Sequence, residues 1–268
     1  MGLLEVRGTD RDSLRNVIDD RVTKAGPIAG VWAYAEFGAV ISAALPMMAV
    51  SAWRHRDDPT QRAPGRWMRR VGRTASRLSM LWEFDIEGER PADIDTRGYV
   101  VIANHESQAD PFLLSFLPWD MRWVAKESLF KQPLSGWALR LSGDIPLRRG
   151  EGESVRACLA ECERAIRGGI SVMMFPEGTR STDALLPFKP GAFDLAIRTG
   201  APILPIALAG TRAMRPKHSR WFGRARAGAK ILAPIPVAGM TTADLPTLRD
   251  TARDAIAAAL PDLRARYA

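Results

Sequence analysis

The sequence has little of what metal centres and disulfide frameworks are made from. Its 268 residues include two cysteines and three histidines. Cys158 and Cys162 lie four residues apart in a helical pattern with no other cysteine or histidine near them, so we interpret them as ordinary helix residues of a reduced compartment. The histidines His55 and His218 are isolated among arginines. We therefore expect no metal site.

Other patterns are missing as well. No Gly-x-Ser-x-Gly nucleophile elbow occurs, which argues against a serine hydrolase of that type. The first apolar stretch begins beyond residue 25 and follows a leader with both acidic and basic residues, so we expect an anchored protein without a secretory signal peptide. The chain shows no internal repeat and no low-complexity tract. Its length suits one large domain with an appendage.

Positive charge, in contrast, is in excess. The 38 lysines and arginines outnumber the 30 acidic residues and give a net charge of +8. This charge suits an acidic partner, which composition alone leaves open between nucleic acid, an anionic membrane and a small anionic substrate. Aromatic residues are ringed by arginines at residues 220–226, as in an exposed loop or a membrane contact. A nucleic-acid surface needs more than one such cluster, so we expect no nucleic-acid partner.

A long apolar segment near the N-terminus points to membrane lipids. From Gly26 to Trp53 the only charged residue is Glu36, and a helix of that length can cross a hydrocarbon core of roughly 30 Å. Pro27 and Pro46 disfavour an uninterrupted crossing, and a charged residue is costly in lipid. The sequence therefore predicts an anchor and leaves open whether it spans the membrane or only enters it.

Residues 62–82 show the pattern of a basic amphipathic helix. Apolar residues recur at helical spacing, with Arg66, Arg69, Arg70, Arg73 and Arg77 between them. After an apolar anchor we expect this helix to lie on the membrane; the alternative is a core-facing helix with a solvated arginine face. The arginine excess places the rest of the chain on the cytoplasmic face of the inner membrane. The chain thus divides into an N-terminal membrane-anchoring region, residues 1–82, and a second domain, residues 83–268.

The second domain alternates between strand and helix patterns. Predicted strands cover residues 99–103, 122–125, 170–175, 203–208 and 229–232. Predicted helices cover residues 111–117, 134–141, 153–167, 192–199 and 242–266. This alternation predicts an α/β fold, with a mixed, largely parallel central sheet flanked by helices and preceded by the membrane-associated helical segment. In such sheets, sites form where strands end.

Two motifs follow predicted strands. In the first, Asn104 to Asp110, His105 precedes Asp110 by five residues in a strand-to-helix turn, and a carboxylate there can orient the imidazole as a base. We expect Asp110 to be the N-cap of the next helix as well. The second motif, residues 175–181, puts Arg180 beside a glycine turn, where a guanidinium can hold a phosphate. Together the motifs indicate proton removal from a phosphorylated alcohol.

Four segments in order resemble the glycerolipid acyltransferases of the lysophosphatidic acid acyltransferase type. They are Asn104-His105 with Asp110, residues 126–149, residues 175–181 and residues 201–207. The resemblance implies transfer of a fatty acyl group from a thioester, on coenzyme A or acyl carrier protein, to the free hydroxyl of a lysophospholipid. Lysophosphatidic acid is the default acceptor, with lyso-ornithine lipid or another lysolipid as alternatives. It implies no cofactor beyond the acyl donor.

The resemblance also implies roles for single residues. His105 is the general base, and Asp110 orients it. Substrate contacts fall on Lys126, Arg149, Glu177, Gly178, Thr179 and Arg180. The three basic residues hold the acceptor's phosphate, and Glu177 and Gly178 shape its glycerol pocket. Arg148 competes with Arg149 for one phosphate contact.

The chemistry fits direct transfer. A thioester is already activated, so one base that deprotonates the hydroxyl suffices and no covalent intermediate is required. Ser107, close to His105, leaves a covalent route as an alternative. A membrane-anchored hydrolase or a non-enzymatic module for anionic lipid are rival functions. A hydrolase would need a nucleophile elbow or a metal cluster, which the sequence lacks. A lipid-binding module would leave the motif at Asn104 to Asp110 unexplained.

Overall fold

In the part of the chain that the structure describes, two helices precede a series of strands and helices. The computed structural model describes residues 26–58, 60–181, 184–216 and 218–267, so the leader before Gly26 lies outside the described residues. The helices are α1 (Pro27–Arg54), α2 (Arg62–Leu78), α3 (Asp110–Leu114), α4 (Glu127–Phe130), α5 (Ser135–Leu141), α6 (Gly152–Arg167), α7 (Gly191–Thr199), α8 (Thr211–Met214) and α9 (Leu245–Tyr267). The strands are β1 (Trp82–Glu87), β2 (Val100–Ala103), β3 (Met121–Lys126), β4 (Ile145–Leu147), β5 (Ser171–Met174), β6 (Ile203–Ala209) and β7 (Ala225–Ile231).

The strands form one sheet in the order β1-β7-β6-β2-β5-β3-β4. From β6 to β4 the neighbours are parallel, whereas β7 pairs antiparallel with β6 and β1 runs parallel to β7. The predicted α/β fold with a mixed, largely parallel sheet is thus confirmed. The sequence pattern misses β1 and β4. β4 has only three residues, and β1 alternates apolar with acidic residues at the sheet edge, directly after a helical pattern.

Alternate residues of the central strand β2 face opposite sides of the sheet. Val100 and Ile102 join the hydrophobic cluster formed with α6, α7 and α9, and Val101 and Ala103 join the cluster that contains α3. All four are fully buried, which explains the uninterrupted apolar run in the sequence. The two cysteines lie on α6 as buried free thiols of the first cluster.

Helix α1 packs one side against the protein and leaves the other exposed. Its buried residues Ile41, Ala44 and Met48 contact side chains of α2 and α5. Large apolar side chains are exposed elsewhere on the helix: Ile28, Val31, Trp32, Val50 and Trp53. By length and composition, α1 is the one helix of the described residues that could cross a membrane, and it continues through Pro46. It therefore combines a docked side with a side that suits lipid.

The arginines of α2 do not all face solvent. Arg73 donates hydrogen bonds to carbonyls of residues 115–117, and Arg66 and Arg69 form ion pairs with Asp120. Two others, Arg70 and Arg77, remain exposed. The helix also ends at Leu78, earlier than the pattern predicts, because Trp82 opens β1. Part of the arginine face thus contacts residues 115–120 of the chain.

The aromatic pair at residues 220–226 belongs partly to the core. Phe222 is buried and its ring contacts Tyr34 of α1 at 5.3 Å and Trp82 at 5.5 Å between centroids. The indole of Trp82 donates to the carbonyl of Gly223 at 3.1 Å. The interpretation of this segment as a freely exposed loop or membrane contact is therefore wrong for Phe222, whose ring fills a junction between α1 and the sheet.

Candidate active site

The first motif starts with an asparagine that extends the sheet. The amide of Asn104 donates to the carbonyl of Leu208 and accepts from its N–H, both at 2.9 Å. Asn104 is fully buried, so these bonds satisfy polar groups that water cannot reach. The side chain replaces one step of the β2–β6 ladder and holds the chain where β2 turns toward α3.

The next residue, His105, is the predicted base. His105 Nδ1 lies 2.6 Å from Asp110 Oδ2, and the imidazole stacks on Phe175 with ring centroids 4.2 Å apart. Since Asp110 is fully buried, its carboxylate favours the tautomer with the proton on Nδ1. The other ring nitrogen, Nε2, makes no hydrogen bond within the part of the chain that the structure describes. The imidazole is thus oriented, with one nitrogen left to accept a proton.

Asp110 organises the whole turn. Its carboxylate accepts from the N–H groups of Glu106 at 3.0 Å and Ser107 at 3.1 Å, and also from the Thr211 hydroxyl. The prediction that Asp110 caps α3 is wrong, because the cap is Ala109 and Asp110 is already the first helical residue. An N-cap accepts from N–H groups that follow it, whereas Asp110 accepts from groups that precede it.

The second motif holds the backbone of His105. The Glu177 carboxylate accepts from the His105 N–H at 2.7 Å and from the Leu186 N–H at 2.9 Å. The Ser181 N–H donates to the His105 carbonyl at 2.8 Å. Burial raises the pKa of Glu177, although the hydrogen bonds from the N–H groups of His105 and Leu186 oppose the rise. Glu177 is 3% exposed, and its buried carboxylate holds the His105 backbone in place.

The rest of the second motif forms the turn itself. Gly178 adopts a positive φ of 69°, which favours glycine, and the end of the Lys189 side chain packs against it. Thr179 is exposed and Arg180 is half-buried. Lys189 is a basic residue that the sequence analysis missed; it follows a Pro-Phe pair in a loop, and its ammonium lies against the glycine turn.

The strand order arranges all predicted site residues along one edge. His105 follows β2, the second motif follows β5, Lys126 ends β3, and Arg149 lies just past β4. These four strands are parallel neighbours in that order. At about 4.8 Å between strands, the row spans roughly 14 Å, which extended Lys and Arg side chains can bridge. The two motifs thus meet at the carboxyl edge of the sheet, where Glu177 contacts the His105 backbone.

The two candidate arginines after β4 differ in their partners. Arg148 pairs with Glu127 at 2.8 Å and Glu151 at 2.9 Å, and these hydrogen bonds raise its pKa. Arg149 forms no ion pair within the described residues, and burial lowers its pKa. Since Arg148 is already neutralised by two carboxylates, Arg149 is the better placed to bind an anion.

Two further residues complete the surroundings of His105. Thr211, which the sequence analysis missed, is fully buried and bonds Asp110; its one signal is its place directly after β6, the strand beside β2. The Ser107 hydroxyl donates to the carbonyl of Arg215 at 2.9 Å and is also buried. Ser107 is thus occupied by a backbone contact.

Comparison with known proteins adds to this geometry. A family model described as Acyltransferase matches residues 84–209. A chloroplast 1-acyl-sn-glycerol-3-phosphate acyltransferase of Brassica napus is 36% identical over 178 residues, which are 66% of this chain and 51% of the relative. The human 1-acyl-sn-glycerol-3-phosphate acyltransferase beta is 31% identical over 205 residues, 70% of this chain and 73% of the relative. The chain spans about half the length of the first relatives it matches.

A solved structure shares the fold. The crystal structure of the 1-acyl-sn-glycerophosphate (LPA) acyltransferase, PlsC, from Thermotoga maritima superposes with a TM-score of 0.67. The match covers 86% of this chain and 96% of that chain at 24% sequence identity. The likeness therefore extends over the helices and the sheet together.

Proposed function

Because the chain belongs to the acyltransferase family of the 1-acyl-sn-glycerol-3-phosphate acyltransferases, we propose that it transfers a fatty acyl group from a thioester to lysophosphatidic acid, giving phosphatidic acid. The observation that carries the proposal is the edge of the sheet, where the oriented imidazole of His105 shares one row with three basic residues. A base beside a phosphate-binding row fits an alcohol that carries a phosphate.

His105 acts as the general base. Its Nε2 accepts the proton of the acceptor hydroxyl while the hydroxyl oxygen attacks the thioester carbonyl. The tetrahedral intermediate then expels the thiolate, which takes the proton back from the imidazolium. The Asp110 carboxylate, 2.6 Å from Nδ1, stabilises that imidazolium and keeps Nε2 toward the substrate.

The acceptor's phosphate is bound by Arg180, Lys126 and Arg149. Arg180 lies in the turn after β5, the strand beside β2, and Lys126 and Arg149 lie at the ends of the next two strands, β3 and β4. Because Gly178 has no side chain, the turn leaves room for the glycerol of the acceptor. Thr179 is exposed in the same turn. A phosphate is the group that such a row of cations suits best, which favours lysophosphatidic acid over lyso-ornithine lipid, whose headgroup has no phosphate.

Transfer is direct, through a complex of donor and acceptor. The Ser107 hydroxyl is buried against the Arg215 carbonyl, which removes the nearest alternative nucleophile. The donor is acyl-coenzyme A or acyl carrier protein, since either carries the thioester that the mechanism needs.

The membrane supplies the acceptor. The exposed apolar side of α1 inserts in lipid, and the exposed arginines of α2 face anionic headgroups. Residues 1–82 thus anchor the acyltransferase domain, residues 83–268, on the cytoplasmic face of the inner membrane. An acceptor dissolved in the bilayer can then reach the site without leaving the surface.

The test uses the full chain in mixed micelles. We expect it to convert lysophosphatidic acid and an acyl thioester into phosphatidic acid, followed by mass spectrometry and thiol release, with acyl-coenzyme A and acyl carrier protein compared as donors. Arg180→Ala should raise the Michaelis constant for lysophosphatidic acid. Thiol release without a new ester would support the hydrolase instead, and a preference for lyso-ornithine lipid would refute the acceptor. An acyl-enzyme trapped with donor alone would refute direct transfer.

A further inference from the structure

A second buried carboxylate lies beside the catalytic pair and has no part in the mechanism above. Glu106 follows His105 directly and is 4% exposed. Its backbone N–H donates to the Asp110 carboxylate at 3.0 Å, so its own position is tied to the residue that orients the base. A charged side chain at such a place needs a partner, because burial of an unpaired carboxylate is costly.

The partners of this carboxylate come from distant parts of the chain. Arg264 on α9 places Nη2 3.6 Å from Glu106 Oε1. The backbone N–H of Gly210, after the end of β6, also faces this carboxylate and acts to lower its pKa. The charged groups that face it are Asp110 from α3, Arg212 from α8 and Arg264 from α9. Glu106 therefore joins the His105 turn to β6 and to the C-terminal helix.

Helix α9 provides a firm point of attachment. Leu260, Leu263 and Tyr267, which flank Arg264 on the helix, are buried in the cluster formed with β6. The Tyr267 hydroxyl also donates to Asp85 of β1 at 3.1 Å. The guanidinium of Arg264 is thus presented by a helix that is packed on the sheet along its last two turns.

The geometry points to Glu106 as a positioning residue for the acyl transfer: its contacts with Arg264 and the Gly210 N–H lock the turn that carries His105 and Asp110 to the sheet and α9. This inference rests on the proposed function. A neutral side chain would fill the space at lower cost, and replacing buried ion pairs by apolar groups is often stabilising in proteins. The charge is therefore retained for orientation of the turn, at the expense of stability.

The test compares steady-state kinetics of variants in the full chain. Glu106→Gln keeps an acceptor for the Gly210 N–H but loses the charge that Arg264 binds. We expect kcat to fall about tenfold with the Michaelis constants of both substrates unchanged, the pattern of an interaction that matters in the transition state. Arg264→Met should give a similar loss, and Arg264→Lys, which keeps the charge, should recover most of the activity.

Two controls make the result specific. The double variant Glu106→Gln/Arg264→Met should be no slower than either single variant, because both remove one interaction. Arg266→Met lies two residues along α9 and removes an ion pair with Glu87, remote from the turn, so its kcat should equal that of the wild type.

Several outcomes decide the matter. An unchanged kcat in Glu106→Gln, additive losses in the double variant, or an equal loss in Arg266→Met would overturn the inference while the proposed function stands. A change confined to the Michaelis constants would also overturn it, because it would place Glu106 in binding. A wild-type chain that forms no phosphatidic acid would overturn the proposed function, and the inference with it.

Discussion

The pH dependence of stability offers a sharp prediction at Glu106. Burial, followed by the nearby Asp110 carboxylate, raises the pKa of Glu106 from its ordinary 4.5 to about 7. A carboxyl group whose pKa is higher in the folded state stabilises the fold while it is protonated. That contribution is full below pH 4.5 and is lost as the pH rises through about 7. At pH 8 Glu106 is ionised in the folded and in the unfolded state, and ionisation costs more free energy in the folded state.

The magnitude follows from the two values. At about 1.4 kcal/mol per pKa unit, the rise from 4.5 to about 7 corresponds to about 3 kcal/mol of lost stability at pH 8. Glu106→Gln removes the charge but brings an amide N–H₂ that needs an acceptor, which offsets the gain by about 1–2 kcal/mol. The lost attraction to Arg264 needs no separate correction, because it already contributes to the pKa of about 7. We expect the variant to be about 1–2 kcal/mol more stable than the wild type at pH 8, with the difference shrinking toward pH 5.

The assay is denaturant unfolding in detergent micelles, followed by tryptophan fluorescence at pH 5, 6, 7 and 8. A matched control is Glu87→Gln, because hydrogen bonding to Arg266 lowers the pKa of Glu87. The stability that Glu87 contributes is present above its ordinary pKa and lost as the pH falls, so its variant should gain nothing at pH 8. A difference between Glu106→Gln and wild type that stays constant from pH 5 to 8 would refute the reasoning, as would a less stable variant at pH 8.

Three further predictions concern the site and its support. His105→Ala should abolish formation of phosphatidic acid with an unchanged melting curve; measurable turnover would assign the base elsewhere. Arg149→Ala should raise the Michaelis constant for lysophosphatidic acid severalfold, whereas Arg148→Ala should not; steady-state kinetics of both variants checks this, and the reverse order would exchange their roles. Asn104→Ala removes both hydrogen bonds to Leu208 and leaves the buried N–H and C=O of Leu208 unpaired. The free energy of unfolding, measured by denaturant titration, should therefore fall by about 2–4 kcal/mol. An unchanged unfolding midpoint would contradict that account.

Local patterns predicted much of the fold. The apolar run before Asn104 forms β2 because both faces of that strand are covered, and the predicted helices at 134–141, 153–167, 192–199 and 242–266 correspond to α5, α6, α7 and α9. The short strand β4 escaped prediction because three residues are too few to show a period, and the edge strand β1 did so because its alternating residues directly follow a helical pattern. Strand β7 is longer than its pattern, since pairing with β6 and β1 overrides the low strand propensity of its alanines and glycine.

The pairing of His105 with Asp110 could be predicted because the two residues are close in sequence and share one turn. The hydrogen bonds of Asp110 could not be predicted, because a sequence does not show whether a carboxylate accepts from the N–H groups before or after it. The same holds for the two arginines after β4. Only the structure shows that Glu127 and Glu151 occupy Arg148 and leave Arg149 unpaired among the described residues.

The sequence by itself determined the chemistry of each part: a histidine and a carboxylate in one turn, basic residues after strands, and an apolar helix near the N-terminus. Tertiary structure decided how the parts combine. The strand order places the ends of four strands in one row. Groups that are distant in sequence then hold the turn after β2: Glu177 binds the His105 backbone, and Arg264 forms an ion pair with Glu106. The physical reason is the separation in sequence of the contacting residues. Turn and helix contacts join residues that are close in sequence, whereas strand pairing and buried charge pairs join residues that only the folded chain brings together.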